Sequence, residues 1–164
     1  MLYLKQMRSL DFSRITDNLF VGRTPYGKDY EVLKRLGVTL VINMRAEWPS
    51  GFISRQRLVQ EVWVPSVDNR FVPFNQERLV LAARQAVQEI HNGGKVYVYC
   101  RKGRHRSVVM AACILILLGQ STRVLSKLIS KQRPIADLHA VQVATAIALF
   151  DKVHGKKGQL HSGS

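Results

Sequence analysis

Residues 96–118, VYVYCRKGRHRSVVMAACILILL, contain three patterns in succession and decide the fold. The first four residues are β-branched or aromatic, which predicts a strand. Residues 108–118 are apolar on every side, which predicts a helix buried on all its faces. The loop between them, residues 100–107, carries four arginine or lysine side chains. A strand that enters a buried helix through one tight loop is typical of an α/β protein.

The rest of the chain alternates strand-like and helix-like segments around this unit, as expected for a parallel or mixed sheet covered by helices. Strands are predicted at residues 19–21, 38–42 and 62–64, the last ended by Pro65. Helices are predicted at 29–36, before Gly37; from Asn75 to the Asn92-Gly93-Gly94 turn; from a Ser121 cap to Arg133-Pro134; and from a cap at Asp137 to about Val153.

Length and composition predict one compact domain. The chain has 164 residues, 46% of them hydrophobic, and we expect a single domain over 1–154 and a flexible tail over 155–164. The sequence lacks the roughly 18 consecutive apolar residues that a membrane-spanning helix needs. Residues 1–10 do not resemble a secretory leader. Two cysteines are too few for a disulfide framework, and a reducing cytoplasm fits them best.

The charge distribution favours acidic partners. The chain has 25 Lys and Arg against 11 Asp and Glu, a formal charge of +14. Its last 64 residues hold eleven basic and two acidic side chains, a net +9. This field suits a phosphorylated protein or another acidic, phosphate-bearing substrate, and peripheral contact with an anionic membrane. We expect no stable nucleic-acid partner, and we expect a monomer.

The loop at 100–107 has the residues of an anion-binding site. Loop N–H groups that turn inward, together with the first turn of the following helix, make a positive socket. Cys100 at its rim should have a depressed pKa and act as a thiolate nucleophile. Gly103 allows a positive φ or a close approach, and Arg106 can hold two phosphate oxygens. Ser107 can donate a hydrogen bond to the sulfur.

Such a site also needs a general acid, because an alkoxide leaves badly unless its oxygen is protonated. Asp68 follows a predicted strand and precedes Cys100 by 32 residues. A carboxylate on a separate loop over the socket could protonate the leaving group and later take a proton from water. We therefore predict Asp68 as the acid.

The motif Cys-x5-Arg-Ser after a strand, with an upstream Asp, resembles the protein tyrosine phosphatase superfamily. The form Cys-x-x-Gly-x-x-Arg-Ser in a short chain is similar to its dual-specificity branch. Further likeness lies in residues 15–22 and 36–43, and in Arg133-Pro134 with Gln142. The resemblance implies a sheet of four or five mostly parallel strands with helices on both faces, a phosphocysteine intermediate, and neither metal nor cofactor.

Chain order and one departure refine this interpretation. Low-molecular-weight phosphatases and arsenate reductases place the loop near the N-terminus, and rhodanese-like sulfurtransferases lack the combination of Arg106-Ser107 and an upstream acid. The family usually has His directly before the cysteine, whereas this chain has Tyr99. The Tyr99 hydroxyl could take part of that role. His105 is not at the equivalent place.

The other candidate residues each allow two interpretations. Arg101, Lys102, Arg104 and His105 either bind a polyphosphorylated or lipid headgroup or only raise the local potential. We expect Asn43, after a predicted strand, to brace the phosphate loop.

Three residues outside the loop are further candidates. Arg45 either lines the cleft wall or belongs to a plain surface loop. Arg70 can contact the leaving group, and Gln142 either positions water or is an ordinary helix residue.

The sequence leaves three alternative hypotheses for the function. The first is a phosphatase for protein phosphotyrosine, and for phosphoserine or phosphothreonine. The second is a phosphatase for a phosphoinositide, phosphatidylglycerophosphate or an RNA 5′-phosphate. The third is a module that binds phosphorylated ligands without turnover.

Overall fold

The computed structural model describes residues 9–49 and 59–156. They form five strands and five helices, in the order β1 (Phe12–Thr16), β2 (Leu19–Arg23), α1 (Asp29–Leu36), β3 (Leu40–Arg45), β4 (Gln60–Ser66), α2 (Gln76–His91), β5 (Val96–Cys100), α3 (Arg106–Leu117), α4 (Thr122–Gln132) and α5 (Val141–His154).

The strands form one sheet in the order β1-β2-β5-β3-β4. The strand pairs β2–β5, β5–β3 and β3–β4 are parallel, and β1 pairs with β2 in the antiparallel sense. The predicted sheet of four or five mostly parallel strands is thereby confirmed, with five strands. Because β5 is central, Cys100 lies at its carboxyl end between the ends of β2 and β3, where open α/β sheets hold their ligands.

Helices cover both faces of the sheet, as predicted. The larger core packs α2, α3, α4 and α5 against one face, and every residue of α3 from Arg106 to Ile116 is buried. The other face packs against α1 through residues such as Leu33 and Tyr97. The complete burial of α3 follows from its uniformly apolar sequence and anchors the loop before it.

Strand β1 was not predicted. The motif at residues 15–22, expected to be a single opening strand, contains the end of β1, a turn at Asp17-Asn18 and most of β2. Only Ile15 of β1 is buried, because β1 is an edge strand whose Ser13 and Arg14 remain accessible. A strand with one buried residue shows little hydrophobic alternation.

Several predicted boundaries were wrong. Strand β3 ends at Arg45, so Asn43 lies within the strand and does not follow it. Pro65 does not end β4 but lies inside it, which is tolerated because β4 is an edge strand. The cap of α5 is Ala140. Asp137 accepts hydrogen bonds from the N–H groups of His139 and Ala140 in the preceding turn.

Other local signals were confirmed. Gly37 ends α1 with a φ of 80°, and the Asn75 and Ser121 side chains cap α2 and α4 through the N–H groups of Arg78 and Val124. The predicted tail falls mostly on residues 157–164, which lie outside the described ranges. No helix within those ranges is long and apolar enough to cross a membrane.

Candidate active site

The loop between β5 and α3 turns sharply at Gly103, whose φ is +67°. A Cβ atom there would lie 2.6 Å from the backbone carbon of Gly22 and 2.7 Å from its oxygen. Gly103 is therefore fixed by a backbone conformation that L side chains rarely adopt and by contact with β2. The side of the loop that faces β2 has no room for a side chain at this position.

Arg133 holds the same part of the loop from behind. It is 1% exposed, and its guanidinium donates to the carbonyl oxygens of Lys102 and Gly103, to Ser13 Oγ at 3.1 Å and to the Asp11 carboxylate. The sequence indicated Arg133 as a helix stop and as part of the family resemblance, but not as a support for the loop. Because these loop carbonyls point at Arg133, they point away from the cleft.

Cys100 lies at the base of the cleft and is 3% exposed. Its sulfur is 3.2 Å from Ser107 Oγ, and the backbone N–H groups of Ser107 and Arg104 also hydrogen-bond to it. Burial alone would raise the pKa of the thiol, but these hydrogen bonds and the charge of Arg106 lower it below its ordinary value. The arrangement therefore stabilises the nucleophilic thiolate.

Arg106 begins α3 and is fixed by two acceptors. Its Nη1 and Nη2 donate to the two Glu47 oxygens at 2.7 and 2.9 Å, and Nη1 also donates to the Ser66 carbonyl at 2.9 Å. The buried Nε has no hydrogen-bond partner within the described ranges. Hydrogen bonding to Arg106 outweighs burial and lowers the pKa of Glu47 to about 2. The Nε edge of the guanidinium thus remains available to an anion.

The role of Glu47 was missed, and Arg45 explains how it is held. Arg45 is buried, not part of a plain surface loop, and its Nε donates to Glu47 Oε1 at 2.9 Å. Its Nη1 donates to Thr24 Oγ1 at 2.9 Å, and Thr24 donates to the Cys100 carbonyl at 3.0 Å. Arg45 therefore connects Glu47 with the end of β5 beneath the cleft. The one local signal for this role was an acidic residue just after a strand end.

Asn43 stabilises the turn that carries Glu47. Its side-chain nitrogen donates to the Trp48 carbonyl at 2.6 Å, and its Oδ1 accepts from the Arg45 N–H at 2.9 Å. These bonds join the end of β3 to the turn that follows it. Bracing of the phosphate loop by Asn43 stays a prediction.

Asp68 lies over the cleft with both oxygens engaged. Its Oδ2 is 2.9 Å from His105 Nδ1, and its Oδ1 accepts from Gln142 Nε2 at 3.0 Å. Burial raises the pKa of this carboxyl, but the hydrogen bonds from His105 and Gln142 outweigh burial, and the pKa lies below its ordinary value. Gln142 thus contacts the predicted acid.

The cleft has a volume of about 460 Å³ and contains most of the predicted site. Its lining consists of Glu47, Val67, Asp68, Cys100, Arg101, Lys102, Arg104, His105 and Arg106. Arg70 lies outside it, with its guanidinium 4.7 Å from the centre of the Phe71 ring, in a neighbouring groove that Gln142 also lines. Within the described ranges, no group of three or more His, Cys, Asp or Glu side chains could hold a metal ion.

The Tyr99 hydroxyl does not take the role expected of a histidine at the position before the cysteine. Its hydroxyl donates to Glu61 Oε1 at 3.2 Å, and its ring packs in the core on the α1 side of the sheet. Successive strand residues face opposite sides, so Tyr99 and Cys100 point apart. Burial and the charge of Glu61 raise the pKa of Tyr99 far above its ordinary value. The hydroxyl is a neutral structural group.

A family model described as a Swiss Army Knife protein, DSP-PTPase phosphatase domain, matches residues 15–152. The chain belongs to the dual-specificity phosphatase family. Dual-specificity phosphatases are hydrolases, and the phosphocysteine route predicted from the motif fits this family. Membership therefore favours an enzyme over a module that only binds phosphorylated ligands.

Curated relatives and solved structures agree with this membership. The chain is 30% identical over 131 residues to dual specificity phosphatase 28 of Mus musculus, covering 77% of this chain and 76% of the relative. It is 31% identical over 113 residues to phosphatidylglycerophosphate phosphatase PTPMT2 of Arabidopsis thaliana, covering 64% and 47%. A mouse putative dual specificity phosphatase complexed with zinc tungstate shares the fold, with a TM-score of 0.78, 23% identity, and coverage of 93% and 94%.

Proposed function

We propose that this dual-specificity phosphatase uses Cys100 as its nucleophile, Arg106 to bind the phosphate, Asp68 as general acid and base, and Ser107 to assist departure of the thiolate. The observation that carries the proposal is the position of the Cys100 sulfur, which lies 3.2 Å from Ser107 Oγ and accepts from two backbone N–H groups at the base of a cleft lined by Asp68.

Each step follows from this geometry. The Cys100 sulfur attacks phosphorus, the bond from phosphorus to the leaving oxygen breaks, and Asp68 protonates that oxygen. The transition state is loose and carries its charge on three oxygens, so loop N–H groups and the Nε edge of Arg106 supply most of the stabilisation. Asp68 then takes a proton from water as the water attacks the phosphocysteine, and Ser107 donates to the departing sulfur.

Protein phosphotyrosine, with phosphoserine and phosphothreonine, is the substrate class we propose first. The printed names of the mouse and human relatives, dual specificity phosphatase 28, support this class. A single domain over 1–154, a monomer and a cytoplasmic location remain predictions of the same proposal.

A membrane phospholipid is the second candidate, and the surface beside the cleft favours it. Arg101, Lys102 and Arg104 are exposed in the cleft. Phe71 is 77% exposed and Val141 61%, and both line the groove next to Gln142. Basic and apolar groups side by side suit a bilayer surface. One relative is a phosphatidylglycerophosphate phosphatase, and a similar fold, PTPMT1, was solved in complex with PI(5)P.

Two substitutions test the catalytic roles. Cys100→Ser should abolish turnover while retaining phosphate binding, and Cys113→Ala is the matched control because Cys113 is buried in the core away from the cleft. Asp68→Ala should slow a substrate with a poor leaving group, such as phenyl phosphate, far more than one with a good leaving group, such as p-nitrophenyl phosphate. Equal slowing of both substrates would show that Asp68 is not the acid.

A substrate panel separates the two classes. The panel compares a phosphotyrosine peptide with phosphatidylglycerophosphate and a phosphoinositide in anionic vesicles, and kcat/KM is measured for each. Preference for the peptide supports the first class. Preference for vesicles, reduced by Phe71→Ser but not by Leu81→Ser, would replace it with the second, because Leu81 is 59% exposed on α2 and outside the groove.

A further inference from the structure

His105 is the cap residue of α3, yet its side chain makes no capping hydrogen bond. The ring instead lies between two carboxylates. Its Nδ1 is 2.9 Å from Asp68 Oδ2, and its Nε2 is 3.7 Å from Asp137 Oδ2. The side chain is 20% exposed, and Nε2 is buried. His105 therefore connects the predicted acid with a second acidic residue that belongs to the turn before α5.

The charged groups around the ring come from three parts of the chain. Asp68 follows β4, and Asp137 lies in the turn before α5 and also pairs with Arg104 Nη2 at 3.5 Å. Arg106, in the same segment as His105, acts through its charge on Asp68 and on the Cys100 thiolate. When both ring nitrogens carry protons, the ring donates to Asp68 on one side and attracts Asp137 on the other.

The two nitrogens are not equivalent in this geometry. Nδ1 is within hydrogen-bond distance of Asp68, whereas Nε2 lies 3.7 Å from Asp137 and has no hydrogen-bond partner within the described ranges. The proton that can leave is therefore the one on Nδ1, which points at Asp68.

We infer that His105 is a positioning residue that shares one proton with Asp68 and supplies it before the leaving group is protonated. This inference rests on the proposed role of Asp68 as general acid. It answers a difficulty in that role, since the two hydrogen bonds that hold Asp68 in place also favour its ionised form.

The proton is conserved over the cycle. The Nδ1 proton moves to Asp68, which leaves a neutral ring with Nε2–H toward Asp137. Cys100 sulfur bonds to phosphorus, the bond to the leaving oxygen breaks, and that oxygen takes the proton of Asp68. Water then attacks the phosphocysteine, its proton goes to Asp68 and back to Nδ1, and the thiolate and inorganic phosphate are released.

The His105→Asn variant tests whether His105 supplies this proton. The asparagine amide can donate the same hydrogen bond to Asp68 but cannot give up a proton. We compare kcat/KM for phenyl phosphate in the wild type and the variant from pH 5 to 7, since the ratio cancels the ionisation of the substrate. Without His105, Asp68 has to take this proton from solution, so the ratio of wild type to variant should grow as the pH rises, by at most about tenfold per pH unit. His139→Asn, an exposed histidine outside the cleft, should leave the profile unchanged.

Two outcomes would overturn the inference. If His105 acted only through its charge, its removal would raise the pKa of Asp68, and the ratio would fall as the pH rises. If it only held Asp68 in place, the ratio would not depend on pH. The Asp68→Asn variant tests the role of Asp68 separately from that of His105. If Asp68→Asn slows substrates with good and poor leaving groups equally, Asp68 is not the acid, whatever pH profile His105→Asn shows.

A second measurement keeps His105 in place and does not depend on folding of the variant. In 15N-labelled Cys100→Ser protein, the ring should show a hydrogen-bonded Nδ1–H signal near pH 6 that is lost in the additional Asp68→Ala variant. A ring with its only proton on Nε2 from pH 5 to 7 would contradict the shared proton.

Discussion

Gly103→Ala measures how closely the phosphate loop is fitted to β2. The new methyl group would lie 2.6 Å from the backbone carbon of Gly22, whereas ordinary contact begins at 3.4 Å, so the loop has to move by about 0.8 Å. A left-handed conformation costs an alanine roughly 1–2 kcal/mol, and overpacking adds about 1–3 kcal/mol. We therefore expect the free energy of unfolding to fall by about 2–5 kcal/mol.

Gly93→Ala is the matched control. Gly93 has a φ of +85°, but nothing lies within 4 Å of its would-be Cβ. Its substitution should cost only the conformational part, roughly 1–2 kcal/mol, and leave activity unchanged. Gly103→Ala should also lower kcat/KM by about 100-fold, since a displacement near 1 Å has that effect on an ordered site.

Urea denaturation and hydrolysis of p-nitrophenyl phosphate measure both quantities for the two variants. Equal losses of stability in Gly103→Ala and Gly93→Ala would show that contact with Gly22 is unimportant. A Gly103→Ala enzyme within threefold of wild-type kcat/KM would refute the inference that the loop has a single productive position.

Three further substitutions test the residues around the loop. Because the pKa of Glu47 is lowered from 4.5 to about 2, its ion pair with Arg106 stabilises the fold above pH 4.5 and loses this effect as the pH falls toward 2. Urea denaturation should therefore show Glu47→Gln to be less stable than the wild type at pH 7 and nearly as stable near pH 2. Tyr99→Phe should leave the pKa of Cys100 unchanged, because the Tyr99 hydroxyl contacts Glu61. The pH dependence of Cys100 alkylation measures this pKa, and a shift of about one pH unit would contradict the prediction. Arg133→Lys should lower the free energy of unfolding by about 3 kcal/mol, because Arg133 is buried. Arg14→Lys, at an exposed ion pair, should change it by less than about 0.5 kcal/mol. Equal losses of stability would show that burial of Arg133 is unimportant.

The sequence predicted what is encoded locally. Strand β5, the loop and α3 are contiguous, and their residue types alone require a strand, a basic turn and a buried helix. The capping signals at Gly37, Asn75 and Ser121 also act within four residues of their own position. Their physical cause is complete within a short window, so a single sequence is sufficient to find it.

The contacts that shape the site are long-range. Arg106 meets Glu47 across 59 positions, and Thr24 meets Cys100 across 76. Cys100 and Arg106 belong to a local motif, but the local sequence does not identify Glu47 or Thr24 as their partners. Arg133 is the clearest case, because its position before Pro134 already accounts for a helix end and gives no reason to expect five hydrogen bonds from a buried guanidinium.

The environment of the cysteine follows from these long-range contacts more than from the residue before it. Tyr99 points to the other face of the sheet, so its identity acts on that core and not on the sulfur. The sulfur accepts from the N–H groups of Arg104 and Ser107, and the Gly103 carbonyl that Arg133 binds belongs to the same planar peptide group as the Arg104 N–H, so these two point in opposite directions. A loop whose carbonyls are tied outward leaves its N–H groups inward without further strain. Binding at the back of the loop therefore directs the Arg104 N–H at the sulfur, while the hydrogen bonds from Ser107 and the charge of Arg106 supply the other effects that lower the pKa of Cys100.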